Sequence, residues 1–225
     1  MTLHPPGSAS TAAFLCIVSS VLASLIAAVG VATGSTRRAG AFALGLAVWL
    51  LLLSGYVASG VMQQPVPWVM LFLLTSNLAA IAAALSPLGG LLARELPLWA
   101  LVGFQGFRLP LELVLHAWGE AGTIPMTMTW EGSNFDVISG IVALALAPAS
   151  VRWHSAAWIA NGVGLVLLLN VARVSVMSSP LPFAWEVEPP LTLAAHLPYA
   201  LIVPVCVAGA LLGHLVLSRA LLERR

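Results

Sequence analysis

Seven apolar runs, over residues 12–32, 41–62, 66–85, 96–118, 135–149, 153–177 and 193–217, constrain this chain more than anything else in it. A helix of ~20 apolar residues crosses the ~30 Å hydrocarbon layer of a bilayer. Most of the runs are near that length, and the fifth is shortest because Pro148 ends it early. The chain carries only 8% charged residues, against about a quarter in a soluble domain. The expected fold is therefore all-α: a polytopic membrane helix bundle of seven transmembrane helices, formed by one integral membrane domain over residues 1–225.

The chain has no lysine, and its arginines set the expected orientation. Arg37 and Arg38 lie between runs one and two, Arg94 between three and four, and Arg152 between five and six; Arg219, Arg224 and Arg225 follow run seven. With seven crossings these sites share one side, which the positive-inside rule makes cytoplasmic. Glu120, Glu131, Asp136, Glu186 and Glu188 fall on the other side. The expected topology is N-out/C-in, in a plasma membrane. Residues 1–10 hold no Lys or Arg, so the first run is expected as a retained span rather than a secretory leader. A net charge of +1 without a basic patch excludes nucleic acid as a partner. Cys16 and Cys206 lie in apolar runs and are expected to be buried thiols.

Ionisable groups inside such a bundle are costly and mark function. Gln105, Arg108, Glu112 and His116 share one face of the fourth run, within about an 80° arc, and should face the bundle interior or a water-filled cavity. At i,i+4 spacing, Arg108 can pair with Glu112, and Glu112 with His116. The loop that follows alternates polar and apolar residues over 123–130, which predicts a short extended lid with Met126, Met128 and Trp130 facing the bundle. Asn134 and Asp136 read as capping residues for run five and leave Glu131 unexplained. Run six brings Asn161, Asn170 and Arg173; Arg173 is expected either at the headgroups or paired with Glu131 or Asp136. His196 stands at the outer end of run seven. His214, near the inner end, reads as a helix-end residue too far away to share the site. Gly209 and Gly213 form a GxxxG that permits close backbone approach, Asn77 reads as a link between helices, and Pro110, Pro198 and Pro204 should bend their helices.

The strings FRLPLELVLH at 107–116 and MTWEGSNFD at 128–136, with HLPY at 196–199, resemble a family of uncharacterised bacterial multi-spanning membrane proteins. That resemblance implies seven spans and no particular activity. No lysine is present for a retinal Schiff base, and no paired histidines mark a zinc hydrolase on the last run.

Three functions fit these residues. The first is an outward pocket of Gln105, Arg108, Glu112, His116, Glu131, Asn134, Asp136, Asn170, Arg173 and His196 that binds, or transports, a small polar or anionic ligand or a lipid headgroup. Arg108 would be its anion anchor, with Glu112 and His116 as a proton-sensitive pair. The second is a membrane-embedded acid/base or metal-dependent enzyme acting on a lipid-like substrate, with Glu112 or Glu131 as base and His116 and His196 as acids or metal ligands. The third is a structural or sensory subunit. No residue spacing is diagnostic of a metal, and the sequence leaves cofactor and oligomeric state open.

Overall fold

The structure, a computed structural model, describes residues 4–63 and 67–224. Val66 and Arg225, used in the reading above, lie outside them. Helix α1 (Ser8–Thr33) is followed by α2 (Thr36–Ala58), α3 (Pro67–Leu85) and the short α4 (Pro87–Glu95). The fourth apolar run forms α5 (Leu98–Phe104) and α6 (Arg108–Glu120). Then come α7 (Val137–Ala149), α8 (His154–Met177) and α9 (Ala208–Glu223). Among the described residues, six stretches are long and apolar enough to cross a membrane: α1, α2, α3, α5–α6, α8 and the helical run Tyr199–Glu223. This is a helical, multi-pass membrane protein. Helix α7 is apolar but only 13 residues long.

Surface and core have the distribution that a bilayer demands. Leu44, Leu51, Leu52, Leu71, Leu74, Leu78, Val166 and Leu169 point outward, where water would leave them as an aggregation surface and lipid leaves them solvated. The interior combines large apolar side chains such as Phe14, Phe72 and Trp118 with many alanines and a set of buried polar groups, and the small residues let helices pack closely. Cys206 is buried as expected, whereas Cys16 faces outward from α1. Asn77 bonds the Leu73 carbonyl of its own helix rather than linking to another.

Prolines place the breaks that matter. Pro110 has no N–H for the Gly106 carbonyl and its ring would meet that oxygen, so a regular helix cannot continue through it. The chain takes a 3-10 turn over Gln105–Phe107 and restarts as α6. Near Pro204 the last run widens into a π-turn, Ile202–Val207, before α9, another standard answer to a missing donor. Helix α9 is central and packs against α3, α4, α5 and α8.

The arginines of the helix ends do converge. Arg219 donates to the Ala84 and Ser86 carbonyls, and Arg224 to those of Ala93 and Leu96. Arg94 faces Glu223 at 3.7 Å. Val29 and Ala32, late in α1, share a core cluster with Leu92, Leu217 and Leu221, which brings the α1–α2 turn to the same end. At the opposite end, Thr11 bonds Tyr199, and Trp118 donates to Ser10. We call that opposite end the mouth.

Candidate functional site

Four elements build the site: the start of α6, the 121–136 loop, α8 and α9. After α6 the backbone turns at Gly122, whose φ of +67° suits glycine. Thr123 N–H then bonds back to the Trp118 carbonyl. The 121–136 loop is compact, not extended. Met126–Met128 is a 3-10 turn, Ser133 N–H returns to the Thr127 carbonyl, and Gly132 passes so close to the Met126–Thr127 backbone that a Cβ would sit 2.6 Å from Thr127 Cα. Met128 is buried while Met126 is exposed. The alternating pattern that predicted a lid strand thus serves a folded-back turn, in which local backbone bonds replace a neighbouring strand.

Arg108 is 1% exposed, and each of its three guanidinium nitrogens has a partner. Its Nε donates to Asp136 Oδ2 at 2.6 Å and its Nη2 to Asp136 Oδ1, a bidentate fork. Its Nη1 donates to the Gly164 carbonyl and to His214 Nε2, both at 3.1 Å. A guanidinium has no acceptor, so Nε2 of His214 accepts and the ring proton belongs on Nδ1. That proton is directed at Asn161 Oδ1, 2.9 Å away. Asn161 donates to Ser218 Oγ, which closes the ring by donating to the His214 carbonyl.

On the other side of Asp136, Ser139 donates to Oδ1 and the Asp136 N–H donates to Asn134 Oδ1. Asn134 Nδ2 donates to both Glu112 oxygens at 3.0 Å and to the Met128 carbonyl at 3.1 Å. One hydrogen-bonded chain thus runs Glu112–Asn134–Asp136–Arg108–His214–Asn161–Ser218. Glycines make room for it. A Cβ on Gly164 would meet the His214 ring, one on Gly140 would lie 2.7 Å from Leu109 Cβ, and one on Gly213 would lie 2.6 Å from Gln105 Nε2. Gly209 makes only ordinary contact, with Val21 of α1, so the two glycines of the GxxxG face different neighbours.

These contacts revise several expectations. Arg108 pairs with Asp136, not Glu112, because a buried bidentate fork outweighs an i,i+4 contact of ~0.2–0.5 kcal/mol. Asp136 precedes α7 but makes no side-chain cap bond, since its carboxylate is turned to Arg108 and Ser139. His214 belongs to the cluster, because α8 and α9 approach closely at Gly164 and Arg108 reaches down from the start of α6. Gln105 faces inward and donates to the Ala210 carbonyl, but its Oε1 is buried without a partner. Arg173 reaches neither Glu131 nor Asp136. It lies 5.4 Å over the Trp185 ring and donates to Asn170, which in turn donates to the Ser133 carbonyl.

At the mouth, His116 stacks on Trp130 with ring centres 4.0 Å apart. Its Nε2 is 3.8 Å from Glu120 and 3.9 Å from Glu131, both exposed, rather than bonded to Glu112. Its Nδ1 is buried with no hydrogen-bond partner. His196 is elsewhere engaged, with Nδ1 3.0 Å from the Thr192 carbonyl. Among the described residues no three His, Cys, Asp or Glu side chains stand together to hold a metal ion, so His116, His196 and a carboxylate do not form a ligand set. Arg108, Glu112, Asn134 and Asp136 are each 5% exposed or less.

No protein-family model, curated protein or solved structure matches this chain. Function therefore rests on the site. Neither of two cavities of about 300 Å³ and 290 Å³ is lined by the buried chain of polar groups. Sequence reasoning missed the roles of His214, Ser139 and Ser218. One signal for two of them was present: Ser218 and His214 are one turn apart on α9, on a helix with glycines at 209 and 213.

Proposed function

We propose that this protein is a seven-span protein of a bacterial inner membrane that binds a small polar ligand or lipid headgroup at the His116–Trp130–Glu131 mouth. The buried chain centred on Arg108 and Asp136 is the rigid element beneath that mouth. The observation that carries this reading is the setting of His116, stacked on Trp130 between two exposed carboxylates and one helical turn from Glu112. Exposed ion pairs add ~0–1 kcal/mol to stability, so folding alone gives little reason for Glu120 and Glu131 to converge there.

The charge at the mouth favours a cationic group over an anion. Arg108 is not free to anchor an anion, since all three of its nitrogens have partners. Titration with ethanolamine, choline and inorganic phosphate, followed by thermal shift, tests this. The two organic cations should raise the midpoint and phosphate should not, and Glu131→Gln should remove the shift. A shift from phosphate that Glu131→Gln leaves intact would overturn the reading.

Seven crossings require α7 to span. Its 13 residues cover roughly 20 Å, and it runs against α5–α6 with Gly103 beside Ala147 and Gly106 beside Leu144. Local bilayer thinning accommodates such a helix. With the arginine end cytoplasmic, single cysteines in 121–129 should label from outside and cysteines near Arg37 should not. The reverse pattern would invert the topology and put the mouth inside.

A further inference from the structure

A second site lies away from the mouth, on the lipid-facing side of the arginine end, and does not depend on the mouth's role. Helix α2 packs along α1 and meets α3 at the mouth end, where Tyr56 stacks on Phe72 and bonds the Trp68 carbonyl. Between α2 and α3 is a cleft of about 290 Å³. Its α2 wall is Phe42, Gly45, Leu46 and Trp49; its back wall includes Ala80 of α3 and Leu212 of α9. Apart from Ser76, whose hydroxyl is bonded to the Phe72 carbonyl, the lining side chains are apolar. From Phe42 to Trp49 the α2 wall is roughly 10 Å long.

The rim gives this cleft chemical direction. On α2, Arg38, Phe42, Gly45 and Trp49 fall within about a 60° arc at 100° per residue, so Arg38 stands on the cleft's own face, one turn beyond Phe42. Leu88 and Leu92 of α4 line the cleft at this same arginine end. The arginines there divide into two groups. Arg94 and Arg219 face Glu223, and Arg219 and Arg224 donate to backbone carbonyls. Arg37, Arg38 and Arg152 are exposed, and among the described residues their side chains make no hydrogen bond or ion pair; of the three, Arg37 and Arg38 stand on α2.

An apolar slot within the membrane, with unpaired arginine at one rim, is complementary to one class of molecule. We infer that the cleft between α2 and α3 holds an acyl chain of an anionic phospholipid whose phosphate is met by Arg38, with Arg37 beside it. Basic sites between membrane helices recognise anionic headgroups in this way. Phosphatidylethanolamine carries the same phosphate but offsets it with its own ammonium, so an anionic lipid leaves the full charge for arginine's planar donor fork.

Two glycines on α2 make the test clean. Gly45 lines the cleft and a Cβ there would touch nothing within 4 Å, so Gly45→Leu puts an apolar side chain into the space an acyl chain would use. Gly40 is equally unobstructed but does not line the cleft, so Gly40→Leu is the control. Protein is released from nanodiscs of equal phosphatidylglycerol and phosphatidylethanolamine and weighed by native mass spectrometry. Wild type and Gly40→Leu should retain phosphatidylglycerol, and Gly45→Leu should lose it. Arg38→Gln should keep lipid but cut the preference for phosphatidylglycerol about fivefold, the effect of one arginine near an anionic headgroup. Retention by Gly45→Leu equal to wild type, equal loss in Gly40→Leu, or no lipid on wild type would each overturn the inference. Should Gly45→Leu not fold, phosphatidylglycerol with a photoreactive acyl chain decides on wild type. Crosslinks concentrated in 42–49, 76–83 and 204–212 support the site, and crosslinks spread over the outward leucines of α2 and α3 refute it.

Discussion

Asp136→Asn is expected to be among the most damaging single substitutions in this protein, lowering stability by about 3–5 kcal/mol. Asparagine is nearly isosteric and can still accept from Ser139, so little of the loss is packing. The cost is that Arg108, 1% exposed and unable to discard its proton, is left buried without its counter-charge. The fork it loses also joins α6 to the start of α7. Replacing both residues by leucine should recover much of the stability, because apolar pairs of similar size often match a buried ion pair. Unfolding in detergent micelles, followed by thermal midpoint and by denaturant titration, measures both. A midpoint for Asp136→Asn within a degree or two of wild type would mean that water or another group already neutralises Arg108.

The second large effect is expected at Gly164. Its Cβ would enter the His214 ring, and that ring cannot swing aside without leaving both Arg108 and Asn161. Gly164→Ala should therefore cost about 1–3 kcal/mol, the usual range for overpacking, and more where the polar chain opens. Two residues earlier, Gly162 has nothing within 4 Å of the same position. Gly162→Ala should be neutral or stabilising by about 0.5–1 kcal/mol, as for an unobstructed glycine inside a helix. The same thermal measurement on the two alanine variants checks this, and equal midpoints would mean that α8 does not approach His214 as described.

Much of the fold is legible in the chain because the bilayer simplifies the problem. The apolar run at 153–177 needs no partner to be read as a helix, and α8 runs from His154 to Met177. The polar face of Gln105, Arg108 and Glu112 was likewise visible from helical period alone, and all three side chains are buried. What period cannot supply is the partner across a helix interface. The i,i+4 rule pointed Arg108 at Glu112, whereas the decisive contact is with Asp136, 28 residues away in sequence. His214 was set apart by counting depth along a regular helix. The 3-10 turn at Gln105–Phe107 and the π-turn at Ile202–Val207 make that counting inexact, and Arg108 has the reach to close the remaining gap. The loop of 121–136 misled for a different reason. Alternation reports a half-buried segment, and here the burial comes from Gly119, Gly122 and Gly132 letting the chain fold back on α6 rather than from strand pairing.

The central claim is that Arg108 and Asp136, not Arg108 and Glu112, form the interdependent pair that organises the polar core. Two double-mutant cycles measured side by side test it: Arg108→Leu with Asp136→Leu, and Arg108→Leu with Glu112→Gln. The account predicts a coupling of about 2–3 kcal/mol in the first cycle, the upper part of the range for residues in one network, and under about 1 kcal/mol in the second. Additive losses in the first cycle, or a larger coupling in the second, would contradict it.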